Sequence, residues 1–340
     1  MIAELAVVAA GRSTVTDLGR LTGPGLGLPV NGALDQYSAR VANILVANDE
    51  TDAVIEAMAF DIAFAPSVDI LIAVTGATMD VTVDGCERPM WEPVPVLAGQ
   101  EVRLSSMTGG MRTYVAVHGS FDVPTLLGSC APDTVIGFGT TLADGDRVAL
   151  RSTTPAPINP YFGISLFNFE VDRPYFGDTA YIDVTDGPDI DEFAGTSGRL
   201  FEAPYTVSTR SNHIGLRLSG ALPQRVRSDE MISRGVPVGA VEVPPGDELL
   251  ILHRGRGVTA GYPVLAVVTS TSLDTLGQAR PETSVVFRRV TVEQAARDAR
   301  VWQDRLEHLR ERVATVYACI GATGLAPAAS VPPVAVASEN

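Results

Sequence analysis

The chain has 340 residues, a formal net charge of −15, and 25 positively charged residues that are all arginines. An acidic field of this size repels phosphate backbones, which excludes nucleic acid as a ligand. Because the chain contains no lysine, it cannot itself supply a Schiff base, a phosphate-loop lysine or a biotinylated lysine.

The composition predicts a folded protein of two domains with ordinary hydrophobic cores. Apolar residues make up 46% of the chain and charged residues only 19%. No apolar stretch approaches the roughly 20 residues that span a bilayer, and the N-terminus lacks the features of a signal peptide, so we expect a cytoplasmic protein. The three cysteines are too scattered for a disulfide framework or a metal site.

The first 56 residues predict a strand, a loop and a short helix, in that order. A weakly alternating strand of about ten residues is followed by a Gly- and Pro-rich loop over 11–32. Helical spacing then places apolar residues on one face, with Asn31 as the predicted cap and Asp35 in the first turn, where the helix dipole favours a carboxylate. The apolar residues are Leu34, Tyr37, Val41, Ile44 and Leu45.

Beyond the helix the hydrophobic period falls to two, which predicts strands. Met79, Val81 and Val83 alternate with polar residues, and Asp84 followed by Gly85 predicts a hairpin turn. Glycines 109 and 110 are interpreted as another turn. Further strands are predicted at 112–117, 147–150, 181–184, 249–252, 264–269 and 284–290. Many short strands with few helices favour closed β-barrels over a doubly wound parallel sheet.

We expect one barrel over residues 1–155 and a second over 175–290, separated by an aperiodic segment rich in Pro and aromatic residues. A helix is predicted over 291–317, and residues 320–340 have the composition of a disordered tail.

The C-terminal helix carries its own signals. Thr291 and Gln294 form a capping box. Apolar residues spaced four and three apart form a seam, which would pack on the same chain or against a partner. The seam consists of Ala295, Ala299, Trp302, Leu306, Leu309, Val313 and Val316.

The segment over 11–56 contains the most suggestive polar residues. Asp17 and Arg20 flank Gly19, a spacing that suits a rigid turn with an ion pair. Such a loop is suited to binding a small polar substrate, because it combines close backbone approach with oriented polar groups. The alternative interpretation is a structural turn locked by the Asp17–Arg20 bridge.

Ten short motifs, in order, resemble the family of allophanate hydrolase subunit 2, also known as the C subunit of 5-oxoprolinase or the biotin-dependent carboxyltransferase family. The resemblance covers residues of about 11 to 295. The motifs lie at 11–20, 27–35, 42–48, 55–56, 187–193, 205–208, 215–220, 239–245, 261–263 and 276–278.

This resemblance implies a mainly β fold of two cyclophilin-like β-barrel domains with a few short helices and a C-terminal helix. It implies a smaller partner similar to allophanate hydrolase subunit 1 and, in 5-oxoprolinase complexes, a third, lactamase-like subunit. The implied activity is ATP-dependent hydrolysis of, or carboxyl transfer to, a small amide such as 5-oxoproline, urea or allophanate. The chain has no motif for ATP or biotin, so partner subunits would supply either cofactor.

Residue types suggest roles within this framework. Asp17, Arg20, Asp35 and Glu56 are the catalytic candidates: the first two would shape a pocket, and one of the others would supply a carboxylate. The substrate-binding candidates are Asn43, Arg217, Tyr262 and Gln278. Arg217 and Tyr262 would hold an oxyanion. We expect the turn bearing Arg20 and the loop bearing Tyr262 to line one cavity that another polypeptide completes.

The chain also departs from the family pattern. Thr16 replaces a Gln, Asn212 and His213 replace an Asp–Arg pair, and Glu242 replaces a Gln. The loop at 255–258 lacks the family's Asp, Gln and Thr. Loss of one preorganised polar contact costs a few kcal/mol of transition-state stabilisation, so these changes bear on the reaction.

Two other functions follow from these observations. The departures favour a regulatory or binding subunit that keeps the scaffold but has lost the chemistry. A prolyl isomerase is suggested by the barrel type alone, and fold does not determine function. The chain lacks the Arg, Phe and Gln arrangement of proline-handling barrels, and we expect it to be inactive in a peptide isomerisation assay.

Overall fold

The computed structural model describes residues 2–151, 168–227 and 231–319. Most of the predicted linker and the whole of the predicted tail over 320–340 lie outside these residues. The fold is mainly β, as predicted, and has three α-helices within the described part of the chain.

The N-terminal half forms a curled, open sheet of ten strands. Seven strands follow in the order β10-β1-β4-β8-β3-β2-β9, and β5 pairs with β8 and carries β6 and β7. The predicted hairpin is confirmed, since Val83 of β5 pairs with Cys86 of β6. The strands are β1 Glu4–Ala9, β2 Ser13–Thr16, β3 Val54–Met58, β4 Ile62–Pro66, β5 Ile70–Val83, β6 Cys86–Arg88, β7 Pro93–Val96, β8 Val102–Val117, β9 Thr140–Thr141 and β10 Arg147–Ala149.

The C-terminal half forms a closed barrel of seven strands in the order β11-β18-β15-β16-β13-β12-β19. Strands β14 and β17 pair with each other in a separate two-stranded sheet. The strands are β11 Thr179–Asp186, β12 Tyr205–Val207, β13 Gly215–Ser219, β14 Arg234–Gly235, β15 Ala240–Glu242, β16 Glu248–Leu252, β17 Thr259–Ala260, β18 Val264–Val268 and β19 Ser284–Arg289.

Three helices lie outside the sheets: α1 Gln36–Leu45, α2 Ser270–Gly277 and α3 Val292–Cys319. One of the two bonds of the predicted capping box is present in α3, because the amide of Gln294 donates to Thr291 Oγ1 over 3.2 Å. The side chain of Gln294 donates to Asp298 and accepts from Arg297 instead of returning to Thr291. The apolar seam of α3 packs on the same chain, against α1 and the outer face of the first sheet. At the end of this contact Tyr317 donates to the carbonyl of Leu45 over 2.8 Å.

The predicted cap of α1 was wrong. Asp35, and not Asn31, is the N-cap, and its carboxylate accepts from the amide of Ser38. Asn31 has a left-handed backbone and donates its side-chain amide to Asp133 over 2.9 Å. The predicted loop over 11–32 is also partly regular, since it contains β2 and the 3-10 turn Gly23–Leu26.

The predicted turn at Gly109 and Gly110 was wrong as well, because both residues lie within the long strand β8. Gly110 has a φ of 79°, and a Cβ atom there would lie 2.8 Å from Oε1 of Gln278. A glycine is therefore needed at this point so that a side chain from the C-terminal half can reach the strand.

Among the described residues, no helix is both long enough and apolar enough to cross a membrane.

Candidate functional site

Five polar side chains meet where the two halves touch. We call this set the floor network, and it consists of Asp35, Glu56, Arg112, Tyr114 and Gln278. Sequence reasoning selected three of them, Asp35, Glu56 and Gln278, from distant parts of the chain.

Gln278 joins the two halves through the hydrogen bonds of its side-chain amide. Its Oε1 atom accepts from the backbone amides of Met111 and Arg112, each over 2.9 Å. Its Nε2 atom donates to Asp35 Oδ2 over 2.7 Å and to the carbonyl of Arg112 over 2.8 Å. The buried amide is therefore fully satisfied, which is what burial of such a group requires.

Asp35 is buried at the start of α1. Besides the bond from Gln278, its Oδ2 atom accepts from Ser38 Oγ over 2.6 Å. Burial raises the pKa of Asp35, and the hydrogen bonds from Ser38 and Gln278 oppose that rise. The carboxylate is thus occupied by protein groups, which suits a positioning role better than direct attack on a substrate.

Glu56 belongs to the same network but lines open space. Tyr114 donates to Glu56 Oε2 over 2.7 Å and accepts from the backbone amide of Asp35 over 3.0 Å. The Nε atom of Arg112 lies 3.7 Å from Glu56 Oε1. Burial, reinforced by the charge of Glu56, raises the pKa of Tyr114 well above its ordinary value, which keeps the phenol protonated as a donor.

Above this network lies a cavity of about 500 Å³ formed by both halves. Strands β2, β3 and β8 supply one side, and the loops around β13 and after α2 supply the other. The lining residues are Arg12, Thr14, Thr16, Asn31, Gly32, Leu34, Glu56, Met58, Met111, Arg112, Pro132, Thr134, Thr209, Ser211, Asn212, His213, Leu216, Gly255, Ala279 and Pro281. The volume and the mixed lining are those of a site for a small polar molecule.

Four of the departures from the family pattern lie in this lining. We call Thr16, Asn212, His213 and Gly255 the variant wall. The Nε2 atom of His213 is 3.4 Å from Thr134 Oγ1. Burial, and next the positive charge of Arg112, lower the pKa of His213, so its imidazole is neutral near pH 7 and offers one hydrogen-bond donor and one acceptor.

The predicted ion pair between Asp17 and Arg20 was wrong. Asp17 accepts from Ser129 Oγ over 2.6 Å and from the amide of Cys130 over 2.8 Å, which fixes that loop. Arg20 is 1% exposed and lies 3.6 Å from Asp133 Oδ2. Both residues therefore have structural partners in the loop that borders the cavity.

Three further candidates also lie away from the cavity lining. Asn43 donates to the carbonyl of Asp52 over 2.8 Å. Arg217 projects from the outer face of the barrel, with its NH1 atom 3.7 Å from Glu248 Oε2. Tyr262 is 41% exposed. Neither Arg20 nor Tyr262, which were expected to line one cavity together, contributes to the lining of this cavity.

Sequence reasoning missed Arg112 and Tyr114. Both lie on one face of β8, and Tyr114 pairs directly with Glu56 of β3 in the sheet register. The period-two pattern at 112–117 indicated a strand, but it did not indicate which strand would be its neighbour. Among the described residues there is no cluster of three or more His, Cys, Asp or Glu side chains that could hold a metal ion.

Comparison with known proteins gives consistent matches. A family model described as "Carboxyltransferase domain, subdomain A and B" matches residues 26–289. The C subunit of 5-oxoprolinase from Escherichia coli K12 is 31% identical over 317 residues, which is 91% of this chain and 98% of that relative.

Two solved structures share the fold. The crystal structure of TTHA0988 matches with a TM-score of 0.75 and 30% identity over 84% of this chain, and the matched region spans 55% of that longer chain. The crystal structure of the K. lactis urea amidolyase matches with a TM-score of 0.81 and 25% identity over 90% of this chain, but over only 20% of its own length. The larger neighbours thus contain regions that have no counterpart here.

Proposed function

Because the chain belongs to the carboxyltransferase family with subdomains A and B, we propose that it is one subunit of a heteromeric enzyme that processes a small amide. The cavity above the floor network is the observation that carries this proposal. It is large enough for a molecule of the size of 5-oxoproline, urea or allophanate, and both halves of the chain contribute to it.

In this proposal Glu56 and Arg112 contact the substrate. A carboxylate accepts hydrogen bonds from amide N–H groups and can act as a general base, whereas a guanidinium donates to a carbonyl or carboxylate oxygen. Tyr114 holds the second oxygen of Glu56, and His213 faces the same space with a neutral imidazole. The sequence suggested that Arg217 and Tyr262 hold an oxyanion of the substrate. In this proposal Arg112 holds it instead.

The partner in this proposal is a smaller protein similar to allophanate hydrolase subunit 1, with a lactamase-like third subunit in a 5-oxoprolinase assembly. The complex would act in the cytoplasm, and ATP or biotin would enter through the partners. Val135 and Ile136, which follow the cavity residue Thr134, are 79% and 46% exposed. Leu21 and Leu26 add further exposed apolar surface on the loop next to Arg20. Such a rim is suited to burial against another protein.

The test is co-expression with the smaller partner, followed by measurement of ATP-dependent hydrolysis of 5-oxoproline and of urea carboxylation in separate assays. We expect turnover of one substrate, and we expect Glu56→Gln to lower kcat about 100-fold or more. Glu87→Gln on the exposed hairpin is the matched control and should retain full activity. An assembled complex that is inert towards every such amide would contradict the proposal.

A second candidate is a binding or regulatory subunit, and the position of the variant wall favours it. Four of the departures fall on the surface that would face a substrate, while Asp35 and Gln278 beneath it follow the family pattern. The double reversion Asn212→Asp with His213→Arg distinguishes the two candidates. A gain of turnover in the reverted complex over an inactive parent supports the binding subunit, and full turnover by the unmodified chain excludes it.

A further inference from the structure

A second pocket, of about 200 Å³, is lined by residues of all three helices. Side chains from α1, α2, α3 and the loop after β16 form it. They are Gln36, Arg40, Arg254, Ser270, Thr271, Asp274, Ala299, Trp302 and Gln303. None of these residues was selected from the sequence as part of the substrate site.

Arg254 is the unusual member of this pocket. Its Nε atom is buried and has no hydrogen-bond partner, and no ion pair joins its guanidinium to a carboxylate within the described ranges. Burial lowers the pKa of Arg254, and the negative charge of Asp274, which lines the same pocket, partly offsets that fall. A poorly solvated, unpaired guanidinium is a strong donor for a carboxylate or phosphate, which it can bind through two parallel N–H groups.

The start of α2 adds further donors. The first amides of a helix have no intrahelical acceptor and carry partial positive charge. Thr269 provides no side-chain cap, and the first two residues of the helix, Ser270 and Thr271, line the pocket. This helix start and Arg254 therefore border the same small space.

The remaining lining residues are compatible with a bound anion. Arg40 already pairs with Glu50 over 3.2 Å and lies over the ring of Trp302 at 5.7 Å, so it adds positive charge and orders the aromatic wall. Asp274 Oδ1 accepts from the backbone amide of Gln36 over 2.9 Å. Burial, and next the charge of Asp35, raise the pKa of Asp274 to about 7, so it opposes an anion less than an ordinary carboxylate would.

We propose that this pocket binds a small oxyanion, a carboxylate or phosphate group, between Arg254 and the N-terminus of α2. The volume admits inorganic phosphate or a compact organic acid but not a nucleotide. The site is separate from the cavity proposed for the amide, although Arg254 is adjacent in sequence to Gly255 of the variant wall. The proposal does not depend on the function of that cavity.

Intrinsic fluorescence provides a direct test, because Trp302 lines the pocket and the chain has only one other tryptophan. The full chain is titrated with inorganic phosphate and, separately, with malonate, at an ionic strength held constant with sodium chloride. We expect a saturable change with at least one anion, and the more effective one identifies the group. Trp302→Phe should remove the signal. A response no larger than that of sodium chloride would overturn the proposal.

Three variants locate the site. We expect Arg254→Gln to weaken binding about tenfold or more, since a hydrogen bond to a charged group is lost. Arg312→Gln removes an equal charge from the exposed face of α3 and should bind as the parent does. If Arg254→Gln and the parent bound the anion with equal affinity, the proposed site would be wrong.

The Ser270→Pro variant retains Arg254 and provides a second test of the site if the Arg254→Gln variant does not fold. Proline is tolerated at the first helical position, and Thr269 already has the extended backbone that a residue before proline requires. The substitution removes one N–H donor and one hydroxyl group, so we expect weaker binding by about threefold or more. A folded Ser270→Pro variant with unchanged affinity would count against the proposal.

Discussion

The floor network lies beneath the cavity and the variant wall lines it, and the two differ in how their polar groups are satisfied. Gln278 makes four hydrogen bonds within the protein, and Asp35 accepts from both Gln278 and Ser38. By contrast, the imidazole of His213 makes a long contact of 3.4 Å to Thr134, and its ring lines the cavity.

This difference indicates a division of roles. The floor network joins the two halves, so its residues are constrained by folding whatever the substrate is. The variant wall contacts the space where a ligand would lie, so its residues can change without loss of the fold. The departures in the variant wall therefore bear on substrate or reaction and leave the architecture intact.

The largest effect on stability is expected for a substitution in the floor network. Gln278→Ala leaves two backbone amides and the carboxylate of Asp35 without their partner, and we expect a loss of about 3–5 kcal/mol in unfolding free energy. Urea denaturation of the full chain measures it. Thr209→Ala, at an exposed position of the cavity lining, is the control and should cost less than about 0.5 kcal/mol. A loss below about 1 kcal/mol for Gln278→Ala would show that the floor does not join the halves.

Glu242 is a departure that lies outside the cavity lining. It is 1% exposed, and neither carboxylate oxygen has a partner within the described part of the chain. Burial raises its pKa from 4.5 to about 7. The folded state thus binds the proton more tightly than the unfolded state, so the stability of the protein falls as pH rises from about 4.5 to 7 and stays low above that range.

We therefore expect Glu242→Gln, which cannot ionise, to be more stable than the parent at pH 8 by about 1–3 kcal/mol. The advantage should shrink below pH 7 and vanish near pH 4.5. Denaturation curves across this range measure it, and the exposed Glu87→Gln variant is the control. An advantage independent of pH would indicate a packing effect instead of a buried charge.

A smaller effect is expected within the variant wall. A Cβ atom at Gly255 would lie 2.5 Å from His213 Cδ2 and 2.8 Å from the carbonyl oxygen of His213. We expect Gly255→Ala to destabilise the protein by about 1–3 kcal/mol, and His213→Ala to relieve the part that is due to the ring. The double-mutant cycle measures this coupling. Strict additivity would mean that the two departures are independent.

The smallest effect is expected for Arg217, which the sequence suggested as a substrate ligand. Its side chain is 43% exposed and pairs loosely with Glu248 on the barrel surface. Arg217→Ala should cost less than about 1 kcal/mol and leave turnover of the assembled complex unchanged. A loss of kcat comparable with that of Glu56→Gln would indicate that Arg217 does contact the substrate.

Local patterns in the sequence were sufficient to predict most helices and strands, but not which distant segments would contact one another. The hairpin at Asp84, the apolar face of α1 and the capping box at Thr291 depend on neighbours within a few residues. The site depends on contacts between distant segments. Gly110 was interpreted as a turn because nothing nearby shows that Gln278 fills the space beside it, and the partner of Arg20 is Asp133, over a hundred residues away.

Hydrogen exchange of the assembled complex, with and without its amide substrate, tests most directly whether the cavity between the two halves binds that substrate. We predict that substrate slows exchange in the loops over 209–214 and 254–258, which border the cavity, while the surface around Tyr262 is unaffected. Unchanged exchange in both loops, with protection at Tyr262 instead, would contradict the account.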